Sequence, residues 1–129
     1  MSKILTKDEI LKIEDIKTEE VEVPEWGGVV LVKTMSGRER DQLESSVITK
    51  PGERNLTNLR AKIVSLSIID VDGNRQFSFD DAILLGDKSA RALDRVFTVA
   101  QRLSGFTPED VKELSKKSEP NQVDDSTSG

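Results

Sequence analysis

The chain contains no cysteine, no histidine and no tyrosine, a single tryptophan and four phenylalanines among its 129 residues. Without cysteine there are no disulfides and no thiolate nucleophile. Without histidine there is no imidazole base, and the usual zinc and iron ligand sets are missing as well. Only Ser, Thr, Asp, Glu, Lys and Arg remain as reactive types, and no Ser-Lys or carboxylate arrangement has a supporting context, so no catalytic residues are assigned and the chain is read as non-enzymatic. No cofactor or metal is expected. A surplus of Lys and Arg is also lacking: the formal charge is -5, which disfavours neutralisation of nucleic-acid phosphates. No apolar run approaches the roughly 20 residues that span a bilayer, so no membrane partner is expected and the protein is read as cytoplasmic.

What is present is a lean aliphatic core, 35% hydrophobic against 33% charged, in a chain long enough to fold as one domain. Charge is uneven. Residues 1–25 carry four basic and eight acidic groups, residues 26–105 twelve and ten, and residues 106–129 three and six. Acidic ends around a near-neutral middle keep a folded centre soluble. The division expected is an N-terminal segment 1–16 with a short helix, a folded α+β domain 17–116, and a disordered acidic tail 117–129, whose one large apolar residue is Val123.

Thr6 and Glu9 match a capping box for a short helix to about Lys12. Alternation from Glu19 to Val23 and the β-branched run Val29 to Thr34 predict an antiparallel hairpin joined by the five residues Pro24-Glu25-Trp26-Gly27-Gly28. Ser36 caps a predicted helix over 38–48 that Lys50-Pro51-Gly52 ends. Asn55 is expected to cap the next helix, with Leu56, Leu59, Ile63 and Leu66 on one stripe and Ala61, Val64 and Ile68 widening it into a central helix. Asp72-Gly73 predicts a second short hairpin or turn between residues 69 and 77. Ser78 caps a brief helix ending near Gly86. The longest helix is expected to start at Asp87, with Ser89, Leu93, Val96, Ala100 and Leu103 on one side, and to close at Gly105. Thr107-Pro108 opens a last helix to about Lys116. The fold class is therefore α+β: a mainly helical single domain with an N-terminal antiparallel β-hairpin and a second short Asp-Gly hairpin or turn.

Residues 70–81 (DVDGNRQFSFDD) resemble a calcium loop only superficially, because the sixth position, which needs glycine, is Arg75. Arg91, Arg95 and Arg102 lie on the flanks or far face of the long helix, where Asp87, Asp94 and Glu109 are close enough to offset them. Trp26, in the hairpin connection, either tucks down as a core lid or stands out as an interface anchor. Phe77, Phe79 and Phe106 fall at element boundaries, plugging gaps between short helices or rimming a partner groove.

Residues 17–34 (KTEEVEVPEWGGVVLVKT) with Ser36-Gly37-Arg38-Glu39-Arg40-Asp41, residues 60–77 (RAKIVSLSIIDVDGNRQF) and residues 86–114 (GDKSARALDRVFTVAQRLSGFTPEDVKEL) together resemble the tail assembly chaperones of long-tailed (siphovirus-type) bacteriophages. The resemblance implies a late, non-catalytic factor in the host cytoplasm, absent from the mature virion. It would coat the tape measure protein, keep it soluble and recruit tail tube protein subunits. It also implies a frameshift-extended form of the same chain as a partner, and Lys116-Lys117 sits where a slippery codon pair could fall. Such a role needs accessible apolar surface, for which Trp26, Leu84, Leu85, Leu103 and Phe106 are the partner-binding candidates, against the alternative that they are ordinary core. A structural tail or head-completion protein retained in the virion would fit the same composition.

Overall fold

A computed structural model describes residues 2–50, 53–55 and 57–105. The expected α+β architecture is present. Three antiparallel strands, β1 (Thr18–Val23), β2 (Gly28–Lys33) and β5 (Ile68–Ile69), form a sheet in the order β1-β2-β5. Alternation along β1 and β2 turns Val21, Val23 and Val32 inward, where they are buried with Ile68. Onto this face packs α5 (Ala90–Leu103), and α3 (Leu59–Ser67) packs against α5, so that buried side chains of the sheet and both helices share one core.

α5 reaches the sheet closely because its buried stripe is largely small: Ala92, Val96 and Ala100 recur every four residues beside Leu93. α3 is the central helix that its composition predicted, with every residue from Ile63 to Ser67 buried. Its two serines tolerate burial because each hydroxyl donates to a carbonyl of the preceding turn, Ser65 to Lys62 at 2.8 Å and Ser67 to Ile63 at 2.8 Å. α2 (Gly37–Val47) lays Leu43 and Val47 on the core, four residues apart as expected.

Three of the local start signals, Thr6, Ser36 and Ser78, act as read. Thr6 and Glu9 cap α1 (Lys7–Lys12), Ser36 and Glu39 cap α2, and Ser78 and Asp81 cap a 3-10 turn over Phe79–Asp81 that runs into α4 (Ala82–Leu85). Each side chain of a pair bonds the other residue's amide.

Several boundaries need correction. The hairpin connection is four residues, not five, because Gly28 already pairs with Val23. α2 ends at Val47. Ile48 then turns extended, and β3 (Ile48–Lys50) pairs with β4 (Glu53–Arg54) in an unforeseen two-stranded ribbon. α3 starts four residues after Asn55, whose side chain instead accepts the Thr57 amide at 2.9 Å in a local turn, while Asn58 takes the N-cap place in the left-handed region at φ 59°. Leu56 lies outside the described residues, and Ile68 belongs to β5, not to the helix stripe. The longest helix starts at Ala90, not Asp87; Ser89 is no stripe residue but its N-cap, accepting the Ala92 amide at 3.1 Å.

The Asp-Gly turn forms, but as a wider connection than two residues. Asp70 and Asn74 pair through an amide-to-carbonyl bond of 2.8 Å, Gly73 supplies the required positive φ of 89°, and one bridge joins Ile69 to Arg75. The Asp70 carboxylate accepts the amides of Asp72 and Asn74. The helix expected over 107–116 and the tail 117–129 lie outside the described residues.

Candidate functional site: an apolar groove beside the hairpin turn

The turn between β1 and β2 is a single 3-10 turn, Pro24–Trp26, closed by Gly27 at φ 74°. It carries the only tryptophan of the chain across to α4. There Trp26, Phe77, Leu84 and Leu85 line a groove of about 450 Å³, with Glu25 and Lys88 on its rim. This is a volume suited to a few side chains of a partner.

The two leucines of α4 have different surroundings because adjacent helical residues point about 100° apart. Leu85 is 4% exposed and belongs to the core, whereas Leu84 is 66% exposed and Ile83 beside it is also open. Trp26 is half-buried and packs against the core cluster. It is thus partly a core lid and partly groove surface. Trp26→Ala should therefore cost less than full burial would imply, about 2 kcal/mol against the ~3–5 kcal/mol of a buried aromatic, as measured by urea denaturation.

The groove is braced from both sides. Arg95 of α5 donates from Nε and Nη2 to the two Glu25 carboxylate oxygens at 2.8 and 3.1 Å, and the guanidinium holds the Glu25 carboxyl below the ordinary glutamate range. On the Phe77 side, Arg75 donates from Nη2 to the Phe77 carbonyl at 3.1 Å and stands 3.6 Å from Glu39. Glu39 in turn accepts from Lys33 of β2 and from the Ser36 amide. Burial pushes the Glu39 carboxyl up, but the Lys33 ammonium and the Ser36 amide outweigh it, and the group sits below its ordinary value.

Of the five sequence candidates, Trp26, Leu84 and Leu85 come together. Leu103 does not join them. It is half-buried against the core near the other end of the hairpin, next to Arg102, which pairs with Glu19 at 2.7 Å. Phe106 lies outside the described residues. Phe77 was among the aromatics that could rim a groove, and does so; Glu25 and Lys88 carried no signal in sequence.

The α5 arginines are offset differently from the expectation. Arg95 and Arg102 are held by hairpin carboxylates, and Asp94 pairs with Arg60 of α3 at 3.0 Å. Among the described residues no group of three or more acidic side chains is placed to hold a metal ion, and no helix is long and apolar enough to cross a membrane.

No family model matches the sequence, and no curated protein matches it. The fold is similar to the solved structure of the bacteriophage HK97 tail assembly chaperone, with a TM-score of 0.56 and 24% sequence identity, covering 71% of this chain and 85% of that one. At this identity the likeness is one of fold.

Proposed function

We propose that this protein is a phage tail assembly chaperone that uses the Trp26–Leu84–Leu85 groove to hold apolar segments of the tape measure protein. The observation that carries the reading is the shared fold with the HK97 chaperone over most of both chains. The groove supports it physically, because it joins exposed apolar surface at Leu84 to a folded, buried floor at Leu85.

In this role the protein binds and releases without chemistry. A tape measure helix places apolar side chains at i, i+3 and i+4 in the groove, as amphipathic helices do in general, and is kept from aggregating until tail tube subunits displace the chaperone. Displacement requires a fast off-rate, which a shallow groove provides. The protein acts in the host cytoplasm, helps to recruit the tube subunits and is absent from the finished particle, with a frameshift-extended form of the same chain as a further partner.

Co-expression with the tape measure protein encoded beside it tests the reading. The expected result is a soluble complex that co-purifies, with the partner insoluble when expressed alone. A well-folded protein that leaves the partner insoluble, and that appears in purified particles, would favour a structural tail role instead.

A further inference from the structure

β1 is an edge strand of the sheet, and its backbone groups alternate in what they meet. The Thr34 amide donates to the Lys17 carbonyl at 2.9 Å, which sets the phase of the β1–β2 ladder. Glu19, Val21 and Val23 therefore direct their amides and carbonyls to β2, while those of Thr18, Glu20 and Glu22 point away from it. Among the described residues no hydrogen bond reaches these outward groups. The segment before β1 leaves them open: α1 buries no residue, and Ile4, Ile10 and Leu11 stand in solvent. Such an edge is a template for one more strand.

The same three residues have exposed side chains, on the face of the sheet away from α5. Across the ladder, Thr18 lies opposite Lys33, which is bonded to Glu39, whereas Glu20 lies opposite Leu31 and Glu22 opposite Val29. Among the described residues neither carboxylate forms an ion pair; Arg95, whose field Glu22 feels, donates to Glu25. The edge is thus unpaired in backbone and in charge at the same positions. Charge across a strand pair selects the occupant, because like charges placed opposite each other are destabilising. A second copy's β1 would bring Glu20 and Glu22 against the same carboxylates. On the α5 side of the edge, Arg95 and Arg102 are already bonded to Glu25 and Glu19, so an added strand needs no acid facing that way.

We infer that β1 accepts an extended basic segment of a partner protein as a fourth strand of this sheet, with Lys or Arg at alternate positions beside Glu20 and Glu22 and uncharged residues between. Backbone bonds hold the segment, and the two carboxylates choose its sequence. The carboxylates also keep copies of β1 apart, as charges on exposed edges do. This surface is separate from the Trp26–Leu84–Leu85 groove and does not depend on what that groove holds.

Titration of the full chain with a short synthetic peptide of alternating lysine and valine tests it, with amide hydrogen exchange read residue by residue by NMR. The expected result is saturable binding with new protection at the amides of Thr18, Glu20 and Glu22, and little change at Glu19, Val21 and Val23, which β2 already protects. A peptide with glutamate in place of lysine should not bind. Glu20→Lys combined with Glu22→Lys should weaken binding of the lysine peptide by about tenfold, as expected for two cross-strand charge pairs, and should admit the glutamate peptide. Both side chains are exposed, and circular dichroism confirms that the variant is folded. Equal binding of the two peptides, binding without protection of the three amides, protection of those amides before any peptide is added, or no binding at all would overturn the inference.

Discussion

Replacing Leu85 by alanine is expected to destabilise the protein by about 3 kcal/mol, while the same change at Leu84, one residue earlier, should cost less than ~0.5 kcal/mol. The contrast follows from where one helical turn points its side chains. Leu85 is buried against the core formed by α3, α5 and the sheet, and truncating it leaves a cavity that close-packed neighbours fill only in part. Leu84 faces solvent and has little packing to lose. Urea denaturation of the two variants measures both. For function the order should reverse: Leu84→Ala should weaken partner binding with the fold intact, whereas Leu85→Ala should lower the yield of folded protein.

The second large effect is expected at Glu39. Its carboxylate is largely buried between two cations, Lys33 and Arg75, and also closes the capping box of α2. Glu39→Ala removes the one anion, among the described residues, that pairs with both, leaving the Lys33 ammonium and the partly buried Arg75 guanidinium without it and the Ser36 amide unpaired. The expected loss is about 3 kcal/mol, toward the lower end for breaking a buried pair. Glu39→Gln keeps an acceptor for the cap, so it should lose about half as much.

The same site gives a pH dependence with a definite sign. The Glu39 carboxyl titrates below its ordinary value in the folded protein. As pH falls, the unfolded chain therefore takes up the proton first. The Glu39 contribution is complete above the ordinary glutamate pKa, roughly pH 5 and higher, and is lost as pH falls through the depressed folded-state value. The stability gap between the wild type and Glu39→Gln should accordingly narrow on acidification below that point.

Short-range features of the fold were legible in sequence where one residue type has one physical job. Alternating Glu and Val marked β1, and Ser or Thr three residues before an acid marked the starts of α1 and α2 and of the Phe79–Asp81 turn. The boundaries that shifted are places where two residues could do the same job. Asn55 spends its side chain on the Thr57 amide, and Asn58, nearer the apolar stripe, stands at the N-cap position with a left-handed backbone and no side-chain capping bond. Asp87 and Ser89 competed likewise, and the hydroxyl at Ser89 reached the Ala92 amide.

Long-range pairing left no local trace. Arg95 meets Glu25 across 70 residues and Arg102 meets Glu19 across 83, so the arginines of α5 read in sequence as a face balanced by its own acids. The site was half visible for the same reason. Trp26 and the two leucines stood out as large apolar side chains in short elements, whereas Lys88 and Glu25 became rim residues only when α4 and the hairpin turn met. The exposure of Ile4, Ile10 and Leu11 was likewise hidden, because an apolar stripe on a short helix has the same sequence whether or not anything covers it.

The central claim is that the groove receives a tape measure helix, and the single tryptophan of the chain reports on it directly because Trp26 forms one wall. The measurement is Trp26 emission as a tryptophan-free helical fragment of the tape measure protein is added. The account predicts a saturable shift to shorter wavelength as the indole leaves water, with the Leu84→Asp variant showing neither shift nor complex. A complex that forms while the emission stays unchanged would place the contact elsewhere on the molecule, and no complex at any fragment concentration would contradict the chaperone reading itself.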